Sequence, residues 1–195
     1  MKKTALLSSY NKDANLLRLG KLLNDNGWTL WGSAGTATYL NENDIACKDV
    51  AGMVGQPILG HRVVTLSREI HAALLAATKE DFEELKHLHL EPIDLVYVRL
   101  YPLEDAIANP KSKPEDIIEK TDIGGPTLLR AAAKGRRLAL SDPKQIDLLE
   151  KWFGNGAQES ERVALAEKLA AAAERRVANY IDASARYWES KVSKQ

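Results

Sequence analysis

Short, almost uninterrupted apolar runs alternate along this chain with segments in which apolar residues recur every three or four positions. The first pattern predicts strands buried on both faces, the second amphipathic helices packed against them. Residues 4–8 read as a first strand, followed by the polar loop Ser9-Tyr10-Asn11-Lys12-Asp13. Leu16, Leu19, Leu22 and Leu23 then keep helical spacing, with Asp13 as cap and Asn26-Gly27 as stop. Residues 28–31 predict a second strand, 32–36 a small-residue turn, about 37–40 a helix, and 45–50 a third strand. Gly52, Gly55, Pro57 and Gly60 mark a loop that runs through Arg62 and Thr65 to a helix over about 68–77. Residues 94–100 form a nearly continuous apolar run, a central strand closed by Tyr101-Pro102, and 138–140 give another strand. Pro114 opens a short helix, Pro126 is placed at the first position of a further one, and Ser141-Asp142-Pro143 caps a helix to Trp152. Val163, Ala166, Leu169, Ala173, Val177, Tyr180 and Ile181 trace one face of a long final helix.

Strands alternating with helices in this way predict an α/β fold: a mostly parallel sheet flanked by helices, with a long C-terminal helix. Residues 1–195 read as a single domain, with a core over about 1–153 and a helical segment over about 158–190. In such sheets ligands collect outside the carboxyl ends of the strands. That rule gathers five clusters: Ser8 to Lys12, Ser33 to Thr36, Arg62 to Thr65, Arg99 to Tyr101, and Asp122 to Lys134. The turn at Ser33, Gly35 and Thr36 suits an anion, because small residues expose backbone N–H groups at a helix start and hydroxyls add donors. The run Thr121-Asp122-Ile123-Gly124-Gly125-Pro126-Thr127 sets a carboxylate beside two glycines at another helix start. A phosphorylated small molecule is the ligand these clusters predict.

Composition narrows the choice. Lys plus Arg and Asp plus Glu are equal at 27 each, so the net charge is zero and nothing draws the chain as a whole to nucleic acid or to an anionic membrane. The lone Cys47 cannot pair within the chain and reads as a small buried hydrophobe. The four histidines do not group in a metal-ligand spacing, and no apolar stretch is long enough to span a bilayer. The expectation is a soluble cytoplasmic protein without a bound metal.

With these clusters in hand, the chain resembles the IMP cyclohydrolase domain of the bifunctional AICAR transformylase/IMP cyclohydrolase family, a domain of methylglyoxal-synthase-like fold. The strongest matches are Pro92-Ile93-Asp94-Leu95-Val96 with Leu100-Tyr101-Pro102, and Asp122-Ile123-Gly124-Gly125-Pro126-Thr127 with Arg130, Ala132, Ala133 and Lys134. Ser33-Ala34-Gly35-Thr36-Ala37 is similar to the family's phosphate turn. The resemblance implies an enzyme that closes the six-membered ring of formyl-AICAR to give IMP and water, with no cofactor and as a homodimer. It implies Asp122, Tyr101 and Lys134 as catalytic residues, with Ile123 and Gly124 against the ring. Ser8, Lys12, Ser33, Gly35, Thr36, Arg62 and Thr65 would hold phosphate and ribose.

Several departures from the family pattern crowd the base end. Val64 stands where the family has a lysine at the reacting groups, and Arg99 stands where a neutral amide reads the base. Tyr10 and Asn11 replace a serine and an aspartate in the first loop, and Ala34 replaces a glycine. These changes leave two alternatives open: action on a different purine-like ribonucleotide, by ring closure or hydrolysis, or nucleotide binding without cyclohydrolase chemistry.

Overall fold

The computed structural model describes residues 2–60 and 62–192. Five parallel strands form one sheet: β1 (Thr4–Ser9), β2 (Thr29–Gly32), β3 (Lys48–Asp49), β4 (Leu95–Arg99) and β5 (Leu138–Leu140), in the order β3-β2-β1-β4-β5. Along β1, successive side chains enter opposite layers. Leu6 joins Val96, Val98, Leu128 and Ala132 on one face, while Ala5 and Leu7 join Leu16, Leu19, Tyr97 and Leu140 on the other. Burial on both faces explains why these strands carry runs of apolar residues without alternation.

Helix α1 (Ala14–Asp25) is capped by Asp13, whose side chain accepts from the Leu16 N–H at 3.0 Å. It lies on the Leu7 face with α2 (Ala34–Asn41) and α9 (Ile146–Gly154). The opposite face is covered by α4 (Arg68–Leu75), α8 (Gly124–Lys134) and the greater part of α10 (Glu159–Val192), with α10 lying against both α8 and β5. Shorter helices α3 (Ala51–Val54), α5 (Lys79–His87), α6 (Leu103–Ala108) and α7 (Pro114–Glu119) fill the connections. Among the described residues no helix is long and apolar enough to cross a membrane.

Several elements differ from the sequence-based expectation. The third strand pairs over two residues only. The backbone of Cys47 is taken instead by the Asn41 amide, which donates to its carbonyl at 2.8 Å and accepts from its N–H at 3.0 Å. Helix α2 starts at Ala34, because the Thr36 and Ala37 N–H groups already donate to the Ser33 carbonyl. Helix α8 likewise starts at Gly124, so Pro126 is its third residue. The first four N–H groups of a helix have no intrahelical acceptor, and a missing one there costs nothing. Helix α5 was not legible as a helix, since only Leu85 of its charged sequence is buried; a capping box between Thr78 and Asp81 winds it.

Candidate active site

The order of the strands creates the site. From β1 the chain proceeds to β2 and β3 on one side, then returns to place β4 and β5 on the other. The loop after β1 leads to a helix on one face, and the segment after β4 leads to α8 on the other. The two loops diverge and open a crevice at this switch point. A cavity of about 710 Å³ lies there, within the ~300–1,000 Å³ of small-molecule sites, and it draws residues from all five predicted clusters.

At one end of the cavity stands the N-terminus of α2. Ser33 Oγ donates to Thr36 Oγ1 at 3.0 Å, and Thr36 Oγ1 also accepts from the Ser9 N–H at 3.1 Å, tying the turn to the end of β1. Lys12 reaches back over it. Its Nζ donates to the Ser9 carbonyl and sits 3.8 Å from where a side chain on Gly35 would begin. Burial lowers the Lys12 pKa, and no carboxylate pairs with this amine among the described residues. A cation above free helix N–H groups makes a site for an anion.

The other end is built on the N-terminus of α8. Asp122 accepts from the Gly125 N–H at 2.9 Å, and the nearby N–H groups of Gly124 and Tyr101 favour its charged form. Desolvation nevertheless dominates and raises its pKa above the ordinary carboxylate value, while those N–H groups pull it down. Beside it, burial raises the Tyr101 phenol, and the nearby Asp122 carboxylate raises it further. Gly125 is closely packed here. A Cβ would collide with Asp122 Oδ2 and stand 2.6 Å from Leu100 Cδ2 and 3.0 Å from Val98 Cγ1. The loop itself is clamped from outside: the Tyr180 hydroxyl of α10 accepts from the Asp122 N–H at 2.8 Å and donates to the Lys120 carbonyl at 2.8 Å.

Of the residues predicted from sequence, Ser8, Lys12, Ser33, Gly35, Arg62, Thr65, Arg99, Tyr101, Asp122, Ile123 and Gly124 line this one cavity. Arg62 pairs with Glu119 at 3.0 Å, and the Arg99 guanidinium lies beside the buried Tyr97 hydroxyl, which has no hydrogen-bond partner among the described residues. Two residues fall outside it. Thr36 is fully buried and buttresses the turn with its hydroxyl. Lys134 is exposed in the last turn of α8, ten residues and so about 15 Å along the helix axis from Gly124, at the far end of the sheet. The reason is directional: α8 runs back against the strands, so only its start can reach their carboxyl ends. Sequence reasoning missed Glu119 and the clamp by Tyr180. A tyrosine within an otherwise apolar helix face was the available signal for the second, since a buried hydroxyl needs a partner. Among the described residues no group of three or more His, Cys, Asp or Glu could hold a metal ion.

Known proteins are similar to this chain in sequence and in fold. Over 175 residues the chain is 40% identical to "Bifunctional purine biosynthesis protein PurH" of Thermosynechococcus vestitus, covering 86% of this chain and 34% of the relative. Over 186 residues it is 39% identical to the protein of the same name from Shouchella clausii, covering 92% of this chain and 36% of the relative. The chain therefore spans about a third of the length of these curated relatives. The solved structure described as "Crystal structure of ForH" superposes with a TM-score of 0.80 at 30% identity, covering 95% of this chain and 98% of that one. Residues 15–127, more than half of the chain, match the MGS-like domain, and the chain belongs to that family.

Proposed function

We propose that this chain binds a purine-type ribonucleotide and closes its six-membered ring in the manner of an IMP cyclohydrolase, converting formyl-AICAR to IMP and water in purine nucleotide biosynthesis. The observation that carries the reading is Asp122: a desolvated carboxylate with a raised pKa, anchored by the Gly125 N–H, next to the Tyr101 phenol in a cavity whose other end suits a phosphate. The relatives' name, a purine biosynthesis protein, points the same way.

The 5′-phosphate lies against the start of α2 under Lys12, with Ser8, Ser33 and Gly35 around it. Arg62 and Thr65 reach in from the segment before α4. Ile123 and Gly124 place the heterocycle over Asp122. Asp122 takes a proton from the carboxamide nitrogen as that nitrogen bonds to the formamido carbon, and the carbonyl electron pair moves to oxygen. Tyr101, kept protonated by its raised pKa, donates its proton to that oxygen. In the second half, Asp122 returns its proton to the departing hydroxyl, which leaves as water. The Tyr101 phenolate takes the proton left on the adjacent nitrogen. Two groups thus complete the cycle and return to their starting states, and Lys134 has no part in it.

A second reading, nucleotide binding without this chemistry, is favoured by Val64 in the cavity wall and by the remote Lys134. Both take away a cation that the resemblance implies at the reacting groups, and the proton donation falls to Tyr101. Mixing the protein with formyl-AICAR and following IMP by ultraviolet absorbance separates the two. Asp122→Asn is expected to lower turnover by about 10²- to 10⁴-fold, the usual weight of a general base, while IMP affinity changes by less than about threefold. Turnover that survives the substitution sinks the role of Asp122; absence of turnover in the wild type, with IMP bound, leaves the second reading.

A further inference from the structure

Tyr10 follows β1 directly, and its N–H donates to the Arg99 carbonyl at 3.0 Å, which pins it to the end of β4. Its ring stands 5.0 Å from that of Tyr101, tilted by 54°. The ring lines the cavity yet remains 45% exposed, and its hydroxyl makes no hydrogen bond among the described residues. It is not alone in this. Ile118 and Ile123, 51% and 61% exposed, open onto the same cavity, and Pro57 and Val64 contribute to its wall. Large apolar side chains left open to water in a concave site mark a surface that a ligand covers. Phosphate and ribose are polar and belong with Lys12 and the start of α2, so the part of the ligand that covers these side chains is its planar heterocycle.

We propose that Tyr10 determines specificity at this site, its ring, braced at a tilt against that of Tyr101, forming the wall on which the planar heterocycle of a ribonucleoside 5′-monophosphate stacks. The inference rests on the nucleotide site described above but not on the ring-closing chemistry. Offset and tilted aromatic contacts are favourable because each ring's electron-rich face meets the electron-poor edge of the other, and a tyrosine holds its ring with only two side-chain torsions to order. Such a wall recognises a flat ring of either the open or the closed form. It gives nothing to ribose 5-phosphate, which has no ring to stack.

The test is titration calorimetry of IMP and of ribose 5-phosphate with the wild type, Tyr10→Ala and Tyr10→Phe. Tyr10→Ala is expected to weaken IMP by roughly 5- to 150-fold, the range that base–aromatic stacking spans, and to leave ribose 5-phosphate within about twofold. Tyr10→Phe keeps IMP within about threefold, and the tyrosine ultraviolet difference signal that IMP induces in the wild type diminishes in both variants. Because the ring lies on the surface, the melting temperature stays unchanged. Equal weakening of both ligands, or IMP affinity indifferent to Tyr10→Ala, overturns the stacking role. A wild type that binds ribose 5-phosphate as tightly as IMP overturns it too, leaving only a phosphate site. A wild type that binds neither removes the nucleotide site and this inference together, whereas IMP bound through Tyr10 without turnover refutes only the cyclohydrolase.

Discussion

Two helix starts line the cavity, α2 and α8, and they are furnished in opposite ways. At α2 the side chain over the free N–H groups is a lysine, and no carboxylate pairs with it among the described residues. At α8 the place an anion would take is already filled by Asp122, part of the protein itself. The same backbone device therefore serves two ends: one start is left open to receive a charged ligand, the other holds a charged group in place. The difference shows that a helix dipole alone does not say what a site does; the side chain next to it decides.

Altering each end in turn sharpens that contrast. The largest effect belongs to Asp122→Asn, and pH adds to it. Activity needs the carboxylate, so the acid limb of kcat/KM falls at a pH above the ordinary aspartate value of about 3.9, in keeping with the upward shift. The stability sign runs the other way. A carboxyl whose folded pKa exceeds its unfolded one stabilises fully below the unfolded value and loses that contribution as pH rises through the folded one. Asp122→Asn is accordingly expected to melt no lower than the wild type at pH 7, and a lower melting temperature there argues that the carboxylate's hydrogen bonds outweigh its desolvation.

Lys12→Met comes next. Removing a charge-assisted donor at α2 is expected to weaken IMP and ribose 5-phosphate alike by about 10- to 100-fold, as calorimetry would show. Loss of IMP affinity alone would put Lys12 at the heterocycle instead. Gly125→Ala forces a methyl group against Asp122, Leu100 and Val98, and urea unfolding should register a loss of about 1–3 kcal/mol. At the bottom of the scale stands Lys134→Ala, with kcat within about twofold of the wild type, since the side chain is exposed some helix turns from the cavity. A collapse of kcat in that variant would mean that Lys134 acts on a site other than the one its own chain encloses.

The wall residues of the cavity were legible to different degrees. Ser33, Gly35, Lys12 and Asp122 were legible as a group: each alone reads as a tight turn or a capped helix, but together they fall at the carboxyl ends of predicted strands. Arg99 and Tyr101 were legible because the strand before them is an unbroken apolar run. Thr36 misled: its hydroxyl looked free in the sequence but is drawn inward by the Ser9 N–H and the Ser33 hydroxyl. Tyr180 was read only as part of a helix face, because nothing along the chain reveals that its hydroxyl meets a loop 58 residues away.

Local patterns were enough to set the α/β class, the parallel strands and the edge of the sheet at which chemistry collects. Apolar periodicity reports how each segment is buried, and burial on two faces leaves a parallel sheet as the arrangement. The partners across space were decided only by the tertiary structure. It set Tyr10 against Tyr101, paired Arg62 with Glu119, clamped the Asp122 loop with Tyr180, and sent Lys134 to the far end of α8. Spacing in sequence fixes which face of a helix a residue takes, but the direction in which that helix runs against the sheet fixes which end of it meets the ligand.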